Sequence, residues 1–180
     1  MPIVRGKKIE VLFPAEAIAR RNLELAKEIA AREFRGLLVV SVLKGSFIFA
    51  ADLIRAMHGA NLSPEIEFIL ISSYGTGRSS GEVRILRDID ASVEGRDVLL
   101  IDDILESGKT LKFTRNLMLG REARSVHIAV LLDKRGRRQT DLEADFAGFE
   151  CPDCFVVGYG MDANHYFREL PFVGVIEEEV

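Results

Sequence analysis

A chain of 180 residues, 48% of them hydrophobic, is long enough to bury one substantial core and predicts a single domain over residues 1–180, with terminal segments forming at most a small appendage. Its formal charge of −4 provides no basic surface for nucleic acid or anionic lipid, so an anionic substrate must be held by local donors or a cation. Met1-Pro2-Ile3-Val4-Arg5 carries no apolar signal core, and no stretch approaches the roughly 18 apolar residues of a membrane span, so a cytoplasmic protein with no membrane partner is expected.

Apolar residues recur at helical spacing from Ala15 to Phe34 (Ile18, Leu23, Leu25, Ala26, Ile29), and Gly36 stands where a C-terminal glycine would end that helix. Leu37–Leu43 reads as a buried strand, Phe47–Met57 as a helix and Ile66–Ser72 as a second strand. Tyr74–Glu82 is rich in Gly, Ser and Thr and predicts a mobile loop. Strands are expected at Val83–Leu86, Val98–Ile101, Val126–Leu132, Phe155–Tyr159 and Val173–Ile176, with a helix over Thr110–Leu119. This alternation predicts an α/β fold: a mostly parallel sheet, helices on both faces, and a site assembled from the loops at one edge.

The run from Val98 to Leu111 carries the most chemistry. Four apolar residues lead to Asp102 and Asp103, where a central parallel strand would leave the sheet at its ligand-binding edge. Ser107, Gly108 and Thr110 follow at the start of the next helix, whose free N–H groups and positive end suit a phosphate monoester. Adjacent carboxylates do not grip phosphate, but they bind ribose hydroxyls or Mg²⁺. A phosphorylated ribose is therefore the ligand class expected, against the plainer reading of solvated acids before a capped helix. A nucleotide P-loop fails on spacing, because Asp103 stands where its pattern needs glycine.

This run resembles the phosphoribosyl-pyrophosphate (PRPP) signature of the type I phosphoribosyltransferases. Leu43-Lys44-Gly45, Ser73-Tyr74, Leu132-Asp133-Lys134-Arg135 and Phe155-Val156-Val157-Gly158-Tyr159-Gly160-Met161-Asp162 are similar, in the same order, to segments of the hypoxanthine-guanine branch of that family. The resemblance implies a parallel core sheet under a small hood, to which short strands near Ala144–Phe149 and Val173–Ile176 would contribute. It also implies purine salvage by Mg²⁺-dependent transfer of the 5-phosphoribosyl group from PRPP to hypoxanthine or guanine, giving IMP or GMP and pyrophosphate, in a homodimer or homotetramer.

Carried over position by position, the resemblance places Glu106, Ser107, Gly108, Lys109 and Thr110 on the 5′-phosphate and Asp102 and Asp103 on the ribose. Lys44, Gly45 and Arg168 fall on pyrophosphate, beside a cis peptide between Leu43 and Lys44. Lys134, Phe155, Val156 and Asp162 fall on the purine, and Asp102, Asp103 and Asp162 on the metal side. Ser73 and Tyr74 open a closing lid over Ser73–Glu82. Glu106 occupies the place of the family's usual aspartate as base for the purine N7 proton, with one extra methylene to accommodate. Taken singly, these residues have plainer readings. Lys44 is a solvated loop lysine, Glu106 an acid favoured at a helix N-terminus, Phe155 a core residue, Asp162 a loop acid and Arg168 a surface ion pair.

Other motifs carry less. Cys151-Pro152-Asp153-Cys154 has the form of a redox pair or half a zinc site, but no second cysteine pair or suitably spaced histidine completes a zinc site, and it is left structural and without a role. Gly158–Ala163 imitates a dinucleotide fingerprint, yet too little chain follows for the helix, strand and ribose acid it needs. Arg135-Gly136-Arg137-Arg138 reads as a solvated loop, not a nucleic-acid site. The competing functions are a xanthine-preferring or other-base transferase and a PRPP-sensing regulator, the latter lacking the nucleic-acid surface it would require.

Overall fold

The computed structural model describes residues 1–74 and 82–177, with Ser73, Tyr74 and Glu82 described in backbone only. In chain order the elements are β1 (Ile3–Val4), β2 (Lys7–Phe13), α1 (Ala15–Ala30), β3 (Leu38–Leu43), α2 (Phe47–Gly59), β4 (Glu65–Tyr74) and β5 (Glu82–Arg87). They continue with β6 (Asp97–Leu105), α3 (Lys109–Gly120), β7 (Ser125–Asp133), β8 (Phe146–Glu150), β9 (Val156–Val157) and β10 (Val173–Ile176). A six-stranded sheet runs β5-β4-β3-β6-β7-β8, parallel except for β5 at its edge. No described helix is long and apolar enough to cross a membrane.

The central strands are apolar on both faces, and their two-residue period divides the core. Val39, Leu99, Ile101, Ala129 and Leu131 pack with Leu25 and Ile29 of α1 and Phe49 and Leu53 of α2. Leu38, Val40, Val98, Leu100 and Val130 point the other way, onto Leu111 and Met118 of α3. Parallel register sets Asp102 beside Val130 and Leu105 beside Asp133, so the carboxyl ends of β6 and β7 finish together. The expected α/β architecture is present.

A second sheet, β1-β2-β10-β9, is antiparallel and forms the hood. Val156 and Val173 join it to the central apolar core, and Phe13 stacks on Phe149 of β8; a polar tie follows from the turn after β9. The Tyr159 hydroxyl donates to Asp52 of α2 and accepts from Asn22 Nδ2 of α1 at 2.9 Å.

Three local expectations need correcting, and one strand had no expectation. The first helix stops at Ala30 rather than Phe34, because the Arg35 N–H donates to Asp97 at 2.6 Å and Phe34 packs edge-on to His127, which draws the chain off the helix axis. The segment near Ala144–Phe149 does not join the hood: β8 pairs parallel with β7, with Phe146 buried in the central core. Only Val156–Val157 of the expected strand Phe155–Tyr159 is extended, since Gly158 and Tyr159 turn at φ +97° and +51°. β2 went unread because Ile9 alone of its residues is fully buried, leaving little alternation to see.

Candidate active site

The carboxyl ends of β3, β6 and β7 converge with the segment from Cys154 to Arg168 around a cavity of about 750 Å³. Nine of the expected residues line it: Lys44, Gly45, Asp103, Glu106, Lys134, Phe155, Val156, Asp162 and Arg168. A smaller cavity of about 330 Å³ opens over the start of α3 and takes in Asp102, Ser107, Gly108 and Thr110. The two share Lys44, Gly45, Asp103 and Glu106, so one elongated cleft results. Lys109 lines neither; it points outward as the first residue of α3. The expected lid, Ser73–Glu82, falls on residues 75–81 outside the described ones and on Ser73, Tyr74 and Glu82, described in backbone only.

Backbone rules fix the floor of the cleft. The Leu43–Lys44 peptide is cis. Gly45 has no room for a side chain, because a Cβ there would strike the Asp103 carboxylate, and a Cβ on Gly160 would in turn strike the Gly45 carbonyl oxygen. Three segments distant in sequence therefore touch through two glycines. Gly108, at φ +81°, turns the chain into α3, and a side chain there would collide with the Thr140 hydroxyl.

The acids of β6 are held by their own backbone. The Asp103 N–H donates to Asp102 Oδ1 at 2.9 Å and the Ile104 N–H to Asp103 Oδ1 at 2.8 Å. Burial, reinforced by the charge of Asp103, pushes the Asp102 carboxyl well above the usual range; burial also raises Asp103, against the opposing pull of the Asp102 hydrogen bond and the Arg168 charge. Paired carboxyl oxygens are the donor class a hard divalent cation takes, and its charge would offset the cost of ionising them in this buried setting. Among the described residues no three acidic, histidine or cysteine side chains form a metal-binding group. Asp162 sits across the cleft, bound to Arg168 Nη2 at 2.7 Å and to the His165 N–H at 2.7 Å, while Arg168 Nη1 donates to the Gly160 carbonyl at 2.6 Å.

On the opposite wall Lys134 is buried, and its Nζ donates to Glu106 Oε1 at 2.7 Å and to the Cys154 carbonyl at 2.9 Å. One of its three N–H donors remains for a ligand. Phe155, 64% exposed, presents its ring to the cavity and is no core residue.

Arg138, unlike the rest of its basic loop, is not solvated. It donates to the carbonyls of Glu106 (3.0 Å), Leu105 (3.1 Å) and Leu142 (2.5 Å) and to Asp133, stapling the loop that carries Glu106 to the end of β7. Gln139 adds an N–H bond to the Ser107 carbonyl at 3.0 Å. Arg135 and Arg137 keep exposed side chains, as the loop reading has it. No local pattern marks Arg138, whose acceptors Leu105 and Glu106 lie 33 and 32 residues away.

The model of the phosphoribosyl transferase domain matches residues 10–164. The chain is 45% identical to the hypoxanthine-guanine phosphoribosyltransferase of Aquifex aeolicus, over 99% of this chain and 100% of that one. It is also 45% identical to the enzyme of the same name from Bacillus subtilis, over 95% and 94%. Among solved structures, a Trypanosoma cruzi hypoxanthine phosphoribosyl transferase superposes with a TM-score of 0.90 at 39% identity, covering 98% of this chain and 95% of its own. A hypoxanthine phosphoribosyltransferase from Staphylococcus aureus gives 0.87 at 40% identity, covering 93% and 91%. The cleft at the edge of a parallel sheet, the hood over it and these likenesses agree: the chain belongs to the phosphoribosyltransferases, in their hypoxanthine-guanine branch.

Proposed function

We propose that the protein transfers the 5-phosphoribosyl group of Mg²⁺-bound PRPP to hypoxanthine or guanine, releasing pyrophosphate and IMP or GMP, as one cytoplasmic domain that assembles into a homo-oligomer. The observation that carries this reading is the juxtaposition of Glu106 and Lys134 at 2.7 Å in the wall facing the acid pair. A proton acceptor and a donor are thereby offered side by side to neighbouring positions of one purine ring.

Each residue then has a task in a reaction whose transition state carries positive charge on the sugar and growing negative charge on the leaving group. The first turn of α3, with Ser107, Gly108 and Thr110, holds the 5′-phosphate. Asp102 and Asp103 orient the ribose hydroxyls and, with Asp162, would hold Mg²⁺. Bound Mg²⁺ supplies positive charge to the departing pyrophosphate. The backbone of Lys44 and Gly45 and the Arg168 guanidinium align that group from the protein side. Phe155 stacks on the purine, the Val156 backbone meets its edge, and Lys134 donates to the 6-oxo group. Glu106 accepts the N7 proton as the new bond forms. Lys109 contributes only backbone to the phosphate loop.

A spectrophotometric panel of hypoxanthine, guanine, xanthine and adenine with Mg²⁺ and PRPP tests the reading. Nucleotide from hypoxanthine and guanine, with adenine inert, is expected. Dominant turnover of xanthine or adenine, or no pyrophosphate release with any base, overturns it.

A further inference from the structure

The Cys151-Pro152-Asp153-Cys154 loop takes no part in the proposed reaction, yet it is tied to the purine wall at three points. The Cys151 N–H donates to the Asp133 carbonyl at 2.9 Å, Asp153 pairs with Arg137 at 2.7 Å, and the Cys154 carbonyl accepts Lys134 Nζ at 2.9 Å. Both cysteines are free, and both belong to the central apolar cluster, Cys151 within it and Cys154 packed against it. Cys151 is buried behind the wall, whereas Cys154 is half-buried and lines the larger cavity.

We propose that Cys151 and Cys154 form a reversible disulfide by exchange with low-molecular-weight disulfides, and that this modification displaces the carbonyl holding Lys134. The more accessible Cys154 loses its proton and its thiolate attacks one sulfur of R–S–S–R, breaking that bond and expelling RS⁻, which is protonated to RSH. The Cys151 thiol, deprotonated in turn, attacks the Cys154 sulfur of the mixed disulfide and expels a second RSH. Two cysteine thiols are oxidised and one external disulfide is reduced to two thiols. Burial and the neighbouring Cys154 push the Cys151 thiol up to about 11, which makes it the resolving rather than the attacking group.

The coupling is geometric. Closing a bond of about 2.05 Å between the two sulfurs draws the Cys154 backbone toward Cys151 and takes one of two acceptors from Lys134. The acid pair at the other end of the cleft rests on its own backbone amides and should not feel the change.

The test exposes native protein to glutathione disulfide, then reads intact mass, a peptide map and the KM for guanine and for PRPP, before and after dithiothreitol. The expected result is loss of two hydrogens, a Cys151–Cys154 cross-linked peptide, and a several-fold rise in guanine KM that dithiothreitol reverses while PRPP KM stays fixed. With Cys151→Ser, exchange should stop at a glutathione adduct on Cys154. Thiols that remain free in native protein under excess disulfide would overturn the proposal, and so would a cross-linked enzyme with unchanged guanine KM. The kinetic arm rests on the function proposed above; an inactive reduced enzyme would refute that function, and the mass arm would still decide whether the disulfide forms.

Discussion

At the acid pair of β6, the bonds that hold the side chains run between neighbours: Asp103 to Asp102 and Ile104 to Asp103. Along the facing wall they span the chain, with Lys134 reaching Glu106 across 28 residues and Cys154 across 20, and Arg138 reaching Leu105 across 33. The difference has mechanical consequences. An acid pair held by the amides of its own strand is supported locally, and a change there should alter binding without unfolding its surroundings. A wall gathered from distant segments hangs on a few side chains, so one substitution should disturb both stability and selectivity.

The largest effect is expected where the two walls meet. Glu106→Gln keeps the shape but accepts no proton, and should lower turnover by about 10²- to 10⁴-fold with PRPP KM little changed, as steady-state kinetics would show. Wild-type turnover would return Glu106 to a loop acid. Next comes the β6 edge. Asp102→Asn with Asp103→Asn should weaken PRPP use by about 1.5–3 kcal/mol per lost carboxylate, roughly 10- to 10²-fold each. Thermal denaturation should place the double variant at or above the wild-type Tm, because two crowded carboxyls whose ionisation burial opposes are replaced by neutral amides. A large fall in Tm would mean the acids serve the fold, contrary to the comparison.

On the other wall, Arg138→Met strips hydrogen bonds from the Leu105, Glu106 and Leu142 carbonyls and should cost about 1–3 kcal/mol in denaturant unfolding, with PRPP KM raised as the loop loosens. Unchanged stability would show that the long-range ties are ornamental. The smallest effect lies at the far end of β6. Burial pushes the Asp97 carboxyl up, but Arg124, the Arg35 N–H and the Ser125 hydroxyl outweigh it and hold the group at about 2 against an ordinary 3.8. A depressed acid stabilises the folded state above its unfolded value, and that contribution is lost as pH falls from 3.8 toward about 2. Asp97→Asn should flatten acid unfolding in that window and leave base selectivity at neutral pH intact.

Legibility in the sequence follows the same division. The β6–α3 run could be read because apolar strand, acids, small residues and helix start are contiguous, and the parallel core could be read because both faces of its strands are buried. Lys134, Phe155 and Asp162 became legible as site residues only through family resemblance; alone, nothing near Phe155 signals that a two-residue strand and two left-handed turns leave its ring exposed. Arg138 and the placement of β8 were missed for one reason. Each is decided by partners far away in the chain, and composition and periodicity report only on neighbours.

Lys134→Met tests the central claim most directly, since methionine keeps much of the apolar stem and loses every donor. The account predicts that kcat/KM for guanine and for hypoxanthine falls by about 10- to 10²-fold, the worth of one charged hydrogen bond, while PRPP KM holds. Undiminished kcat/KM for both bases in the folded variant would contradict it.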